Sequence, residues 1–299
     1  MAAKDKGYRH GTPLGEFSIA PPCFFLPFHP KTIKPVFAFI KTVIAEFFWI
    51  QWAVKLGLRN IPVVPVDHPL DSKVPFRPEL ARVYLDFTNF WIRPFTLMFA
   101  HVGVLRTIGY CADFLSRIAN AYHQAARVYT YRMTTTYRPP TTDRVVKHII
   151  RAADPHYLCV PSLHIAVVAL TYSFYRNVFK QEKARIPREK AEEYNHALYT
   201  GAVEIAETVL YVKQHSVNCI PAALCMLHNI ASDVFSIADA TGFIDSLFED
   251  APDVSAADKR EITAHIHYMF ERFLLEGLYE SDWTVPVKRW IESRDGSTR

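Results

Sequence analysis

Glycine is scarce in this chain, with ten in 299 residues. A turn-rich sheet protein uses more, and proline, present twenty times, falls mainly at the ends of apolar runs. Cysteine is also sparse and odd in number, five in all, and no pair has CxxC spacing. A disulfide framework and a zinc knuckle are therefore not expected, and a reducing compartment fits better. Charge of one sign is not in excess: 34 basic and 30 acidic residues leave +4, spread along the chain. That excludes the concentrated basic footprint of a nucleic-acid binder, and leaves a mild leaning toward anionic substrates or an acidic lipid surface. No repeat and no low-complexity tract is present. The N-terminal residues carry basic groups but no apolar h-region close behind, so no signal peptide is expected.

Long charge-free apolar runs are missing as well. The run Pro35–Leu58 is very apolar, but Lys41, Glu46 and Lys55 interrupt it. A charge at the centre of a spanning helix costs about 2.5–3.5 kcal/mol on insertion scales, so a core helix is the cheaper reading. His156–Tyr175 and Gln214–Ser232 approach the length of a span without full charges. Their polar residues make them helices buried inside a bundle. The expected location is cytoplasmic or membrane-associated, with peripheral contact to a bilayer left open.

Half of the residues are hydrophobic, and they recur mostly with helical period. Residues 1–32 read as an irregular arm, broken by Pro13, Pro21, Pro22, Pro27 and Pro30. Residues 33–299 read as a single all-α domain. Its helices are expected over Ile33–Leu58, Pro78–Phe90, Pro94–Ile108 and Cys111–Tyr129, with a short amphipathic segment from Asp143. Ser162 opens the next helix, and Pro187 begins one that runs to about Lys213. A last amphipathic helix follows Ser255, with Ile262, Ile266, Phe270 and Phe273 on its core side.

Three stretches between residues 130 and 224 carry candidate chemistry. In CVPSLHIAVVAL, Ser162 is a good N-cap and His164 falls in the first turn of its helix. The unpartnered N–H groups of such an end suit a phosphate, and His164 beside it could protonate a leaving oxygen. The plain alternative is a capped core helix with one satisfied histidine. In LYVKQHSVNCIPAAL, His215 sits inside an apolar, helix-like run beside Lys213. Burial there keeps it neutral and nucleophilic, unless it is simply a core histidine bonded to a carbonyl. In TYRMTTTYRPPT, Arg138 precedes Pro139 and Pro140, with Arg132 upstream. Their guanidinium groups could fork onto phosphate oxygens or form an exposed basic loop.

In order and spacing these stretches resemble the signature motifs of the type 2 phosphatidic acid phosphatase and haloperoxidase superfamily. Arg138 and Pro139 match the end of its first motif, whose lysine falls on Tyr131 with Arg132 adjacent. Pro161, Ser162 and His164 match its Pro-Ser-Gly-His motif, with Leu163 for glycine as in the sphingolipid phosphotransferase branch. His215 matches the histidine of the third motif. The arginine of that motif falls on Val209 and its aspartate on Cys219, so both are missing.

The resemblance implies a helical bundle of that type. It also implies a phosphatase or phosphotransferase acting on phosphate esters, lipid-linked ones included, through a phosphohistidine on His215. His164 would protonate the leaving alkoxide, and Arg138, Ser162, Arg132 and Lys213 would hold the phosphoryl oxygens. No metal or cofactor is implied. The missing aspartate is the main objection, because a carboxylate normally orients the attacking imidazole. Asn218, Asp154 and Glu207 are the substitutes within the sequence. The alternative is a catalytically inactive relative that binds phosphorylated ligands or partners. A third reading gathers His215, Cys219, Cys225 and His228 into a metal site. His265 and His267, two apart on a helix, diverge and take no role.

Overall fold

The apolar periodicity resolves into helices whose borders are set by glycine, proline and capping side chains. The structure is a computed structural model describing residues 7–10, 13–151 and 154–295. It is mostly helical, in line with the all-α expectation. After a short helix α1 (Ala20–Phe25), α2 (Ile33–Thr42) and α3 (Ile50–Lys55) form one long rod joined through a π-helical turn at Val43–Trp49. The helix α4 (Ala81–Leu85) is separated from α5 (Phe87–Val102) at Asp86, whose carboxylate forms a buried ion pair with Arg93 at 2.6 Å. Gly103, in the left-handed region at φ +88°, separates α5 from α6 (Val104–Tyr129).

The second half of the chain holds α7 (Leu163–Gln181), α8 (Arg188–Tyr211), α9 (Cys219–Ile230), α10 (Ile237–Asp245), α11 (Ala256–Gly277) and α12 (Thr284–Asp295). Ser162 and Ser255 accept the backbone N–H groups of Ile165 and Asp258, which fixes the starts of α7 and α11. The expected face of α11 is the observed one: Ile262, Ile266, Phe270 and Phe273 are all buried. α7 packs along α8 and crosses α5, α6 and α9. Phe95, Phe114, Phe174 and Tyr175 stack edge-on or tilted in the middle, with centroids 5.1–6.3 Å apart.

Two strands matter out of proportion to their length. β1 (Val63–Pro65) and β2 (Met133–Thr135) pair in parallel, and Thr134 makes a further parallel bridge to Leu158. The Thr134 hydroxyl also accepts the Val160 N–H at 2.8 Å. Three remote stretches are thereby tied side by side: the run leading to Arg138, the run leading to Ser162, and the Pro62–Val66 connection.

Several expectations are corrected here. The arm is not irregular throughout, because residues 20–28 are helical, while residues 1–6, 11 and 12 lie outside the described residues. Pro94 does not start a helix but lies inside α5. The expected helix at Gln214–Ser232 begins only at Cys219, and His215 sits on the tight connection from α8 to α9. The reason is Pro221, whose ring would clash with the carbonyl of residue 217 if the helix ran through it. Lys213, at φ +55°, makes the turn. Among the described residues no helix is long and apolar enough to cross a membrane.

Candidate active site

The connection after α8 and the N-terminus of α7 meet at the floor of a cavity of about 410 Å³. The Ser162 N–H donates to the Cys219 carbonyl at 3.4 Å, and the Tyr129 hydroxyl donates to the Pro161 carbonyl at 2.5 Å. These bonds hold the start of α7 against the connection. His164 and His215 then face one another with ring centroids 5.6 Å apart and planes at 63°. Both line the cavity.

His215 has two ring partners. Nδ1 lies 3.2 Å from the Cys159 carbonyl oxygen, and Nε2 lies 3.3 Å from the Ser162 hydroxyl. A carbonyl only accepts, so Nδ1 carries the proton and Nε2 presents its lone pair. Burial lowers the His215 pKa well below its usual value, and the positive charge that His164 and His156 would carry pushes the same way. The ring is neutral, with its lone pair at Nε2.

His164 is held differently. Its ring lies between Tyr84 and Phe87, at 4.7 and 4.6 Å between centroids. Neither of its nitrogens has a hydrogen-bond partner among the described residues, which departs from the satisfied core histidine of the plain reading. Burial lowers its pKa to about 4, with Asp154 offsetting part of the shift.

Arg138, placed by the β2 anchorage, lies behind the cavity wall against Asp154 and Gln214, which line it. Its guanidinium donates to an Asp154 carboxylate oxygen at 2.8 Å, to the Asp154 carbonyl at 3.3 Å, and to the Gln214 side-chain oxygen. Two buried donors are left over: among the described residues, Arg138 Nε and Gln214 Nε2 have no partner. Gln214 itself lines the cavity. Unpaired donors of this kind cost roughly 1–3 kcal/mol each unless an acceptor is supplied.

Asp154 and His156 complete the wall, and no sequence pattern assigned a role to His156. The His156 N–H donates to Asp154 Oδ1 at 2.9 Å, and its ring meets the Thr136 hydroxyl at 2.8 Å. Burial alone would raise the Asp154 carboxyl, but the bond from His156 and the Arg138 charge outweigh it and hold it below the carboxylate range. Burial lowers the His156 pKa, with Asp154 opposing and Arg138 reinforcing the shift. A positive φ of 69° at His156 marks the turn that aims this ring inward. The Asp-Pro-His run after a helical segment was the signal available for it.

Four of the six expected residues thus converge: His215, His164, Ser162 and Arg138. Two do not. Lys213 turns away and donates to the carbonyls of Asp71 (2.6 Å) and Val74, where burial lowers its pKa. Arg132 pairs with Asp295 beside Tyr131, whose hydroxyl bonds Glu292. For Lys213 this follows from chain direction, since its left-handed backbone makes the turn that aims Gln214 and His215.

Of the substitutes for the missing aspartate, Asp154 lines the cavity but its carboxylate bonds Arg138, and Asn218 and Glu207 point elsewhere, as does Cys219 at the motif position. Cys219 accepts the Ser216 N–H at 3.3 Å, Asn218 bonds the Val66 carbonyl and His265, and Glu207 pairs with Arg9. None reaches the ring of His215, and the Cys159 carbonyl takes the orienting position instead. The metal reading is not supported. His228 meets the Phe235 carbonyl at 3.3 Å, Cys225 contacts Asn229, and among the described residues no three potential ligands form a metal-sized group.

The remaining cavity wall is apolar and aromatic, formed by Phe39, Phe47, Tyr84, Phe87, Trp91 and Tyr122. The site therefore combines two facing imidazoles and an unfilled Gln214 amide donor, backed by the Arg138 guanidinium, at one end with an oily chamber at the other. No family model matches the chain, no curated protein matches it, and no solved structure matches its fold.

Proposed function

We propose that this chain is a metal-independent phosphatase or phosphotransferase acting on phosphate esters with an apolar tail, through a phosphohistidine on His215. The observation that carries the reading is the pair His215–His164, facing each other beside unpaired donors at the polar end of an aromatic cavity. The motif order around Arg138, Ser162, His164 and His215 supports placing the fold with the type 2 phosphatidic acid phosphatase and haloperoxidase bundles.

In this reading Nε2 of His215 attacks phosphorus and the ester P–O bond breaks in line. The leaving alkoxide takes a proton from His164. With a pKa of about 4, His164 is neutral before substrate binds, so the proton arrives with the phosphate monoanion and passes through it. Water, or an acceptor alcohol, then loses its proton to His164 and attacks the phosphohistidine, which releases phosphate or the new ester. Gln214 Nε2 and Arg138 Nε supply donors for the phosphoryl oxygens, where such preorganised groups contribute most. The Cys159 carbonyl holds the ring tautomer but adds no negative charge beside the developing imidazolium.

That last point favours a second reading, a binding protein for phosphorylated amphiphiles that does not turn them over. In the serine-protease triad, loss of the charged partner costs about four orders of magnitude. One experiment separates the two. Wild type and His215→Ala are incubated with a radiolabelled alkyl phosphate, quenched in denaturant at alkaline pH, and examined for acid-labile label. Label and released phosphate in wild type alone support the enzyme. Binding by both proteins without label or release supports the binding protein.

A further inference from the structure

The outward side of the α2–α3 rod is as apolar as its inward side. Inward, Val36, Phe39, Phe47 and Ile50 pack toward the core, with Phe39 and Phe47 edge-on to Tyr122 of α6 at 5.9 and 5.7 Å. Outward, Ile33, Phe37, Ile40, Ile44 and Phe48 recur at three- and four-residue intervals and are 37–60% exposed. The stripe is continued by Phe24 and Phe28 before the rod and by Trp49, Leu56 and Leu58 at its far end, all of them at least half exposed. An exposed apolar surface of this extent marks a docking site.

The charges around the stripe identify what docks. Lys31, Lys34, Lys41, Lys55 and Arg59 are all exposed. Between Phe17 and Val66 the single acidic residue is Glu46, and it is half-buried against His123 at 2.9 Å. None of the five cations forms an ion pair among the described residues. On a helix, Lys34 and Lys41 fall on one border of the stripe, where long stems lie along an apolar surface and ammonium groups reach its polar edge. Lys55 sits over the Trp52 ring at 4.5 Å, an amphipathic pair suited to a headgroup region. The cavity opens toward this side: Phe48, Leu85 and Ile149 line it and are each 41–52% exposed.

We propose that the α2–α3 rod lies in the plane of an anionic lipid surface, with its stripe in the acyl boundary, its lysines among acidic headgroups and the cavity mouth facing the membrane. The rod is a π-interrupted amphipathic helix and no described helix can span, so the geometry is that of a peripheral, one-leaflet attachment. The proposal stands apart from the phosphate chemistry, because attachment is read without turnover.

The test is flotation of the full chain with vesicles of phosphatidylcholine alone and of phosphatidylcholine mixed with phosphatidylserine. Wild type is expected to float with the mixed vesicles, less so at high salt, and weakly with phosphatidylcholine alone. Phe37→Ser with Ile44→Ser is expected to weaken attachment to the mixed vesicles at least tenfold. Lys34→Gln with Lys41→Gln is expected to weaken it about thirtyfold while leaving the residual binding to neutral vesicles. Absence of flotation with either vesicle, or equal flotation with both, overturns the proposal. So does a wild type that sediments as a dimer and becomes a monomer in Phe37→Ser with Ile44→Ser, since a second copy then covers the stripe.

Discussion

The Nδ1–H of His215 donates to the backbone carbonyl of Cys159 at 3.2 Å, so a main-chain group and not a carboxylate orients this ring. A carbonyl fixes the tautomer as a carboxylate does, and leaves Nε2 free toward Ser162 and the cavity. It contributes only a partial charge when the ring becomes positive.

Introducing a carboxylate by Cys219→Asp is expected to fail as a gain of function. Cys219 is fully buried and its sulfur faces the Ser216 amide, not His215. An unpaired carboxylate there shifts its own pKa upward and costs several kcal/mol. Turnover of an alkyl phosphate should stay at or below wild type while the thermal midpoint drops. A rise in turnover would show that the ring of His215 can be reached from position 219.

Stability is expected to rise with pH between about 4 and 6.5. His164 is held near 4 and burial holds His215 well below its usual value, whereas both titrate near 6.5 in the unfolded chain. In that window the unfolded state binds more protons, so ΔG of unfolding increases with pH, levels off above 6.5, and is lost as pH falls toward the folded values. For His164 the effect should be about 2 kcal/mol, less than the full shift implies because the cavity admits water. Denaturant titrations across this range check it, and His164→Gln should make the curve shallower by its own share. An unchanged curve in that variant would remove His164 as the source.

Arg138 and Asp154 are expected to respond in opposite directions. Asp154→Asn frees guanidinium donors that now bond a carboxylate, so inorganic phosphate or vanadate should bind more tightly, by roughly tenfold for a gain near 1.4 kcal/mol. Arg138→Ala strands the Asp154 carboxylate on the cavity wall and should cost about 1.5–3 kcal/mol of stability, with oxyanion binding lost. Calorimetric titration and thermal melts distinguish the two. Tighter oxyanion binding in Arg138→Ala would contradict the assignment of that side chain.

Chain-length dependence is the expected signature of the aromatic chamber. A buried methylene contributes about 0.8 kcal/mol, or roughly fourfold in affinity, until the chamber is full. A series of n-alkyl phosphates should therefore bind progressively tighter and then reach a plateau. Phe87→Trp, which fills space beside His164, should bring the plateau to a shorter chain. Affinity independent of chain length would leave the chamber without a role in recognition.

How much of this was legible depends on range along the chain. Local rules were enough for the caps at Ser162 and Ser255, for the inward face of α11 and for His164 in the first turn of α7. The same rules misplaced His215 inside a helix, although Pro221, four residues beyond Val217, already forbids that run. Lys213 and Arg132 looked like neighbours of the site because they are close to it in sequence. A left-handed residue at 213 and the surface pairing of Arg132 with Asp295 send both elsewhere.

Periodicity and capping chemistry act over a few residues, so the amino-acid sequence alone determined the helical class and most of the helices. The meeting of His164 with His215, the choice of the Cys159 carbonyl as orienting group, and the recruitment of Asp154 and His156 depend on hydrogen bonds between segments 20 to 76 residues apart. Burial then sets the charge state of each ring. Which stretches lie side by side is fixed by the Thr134 bridge and the packing of α7 on α8, and no local pattern encodes it.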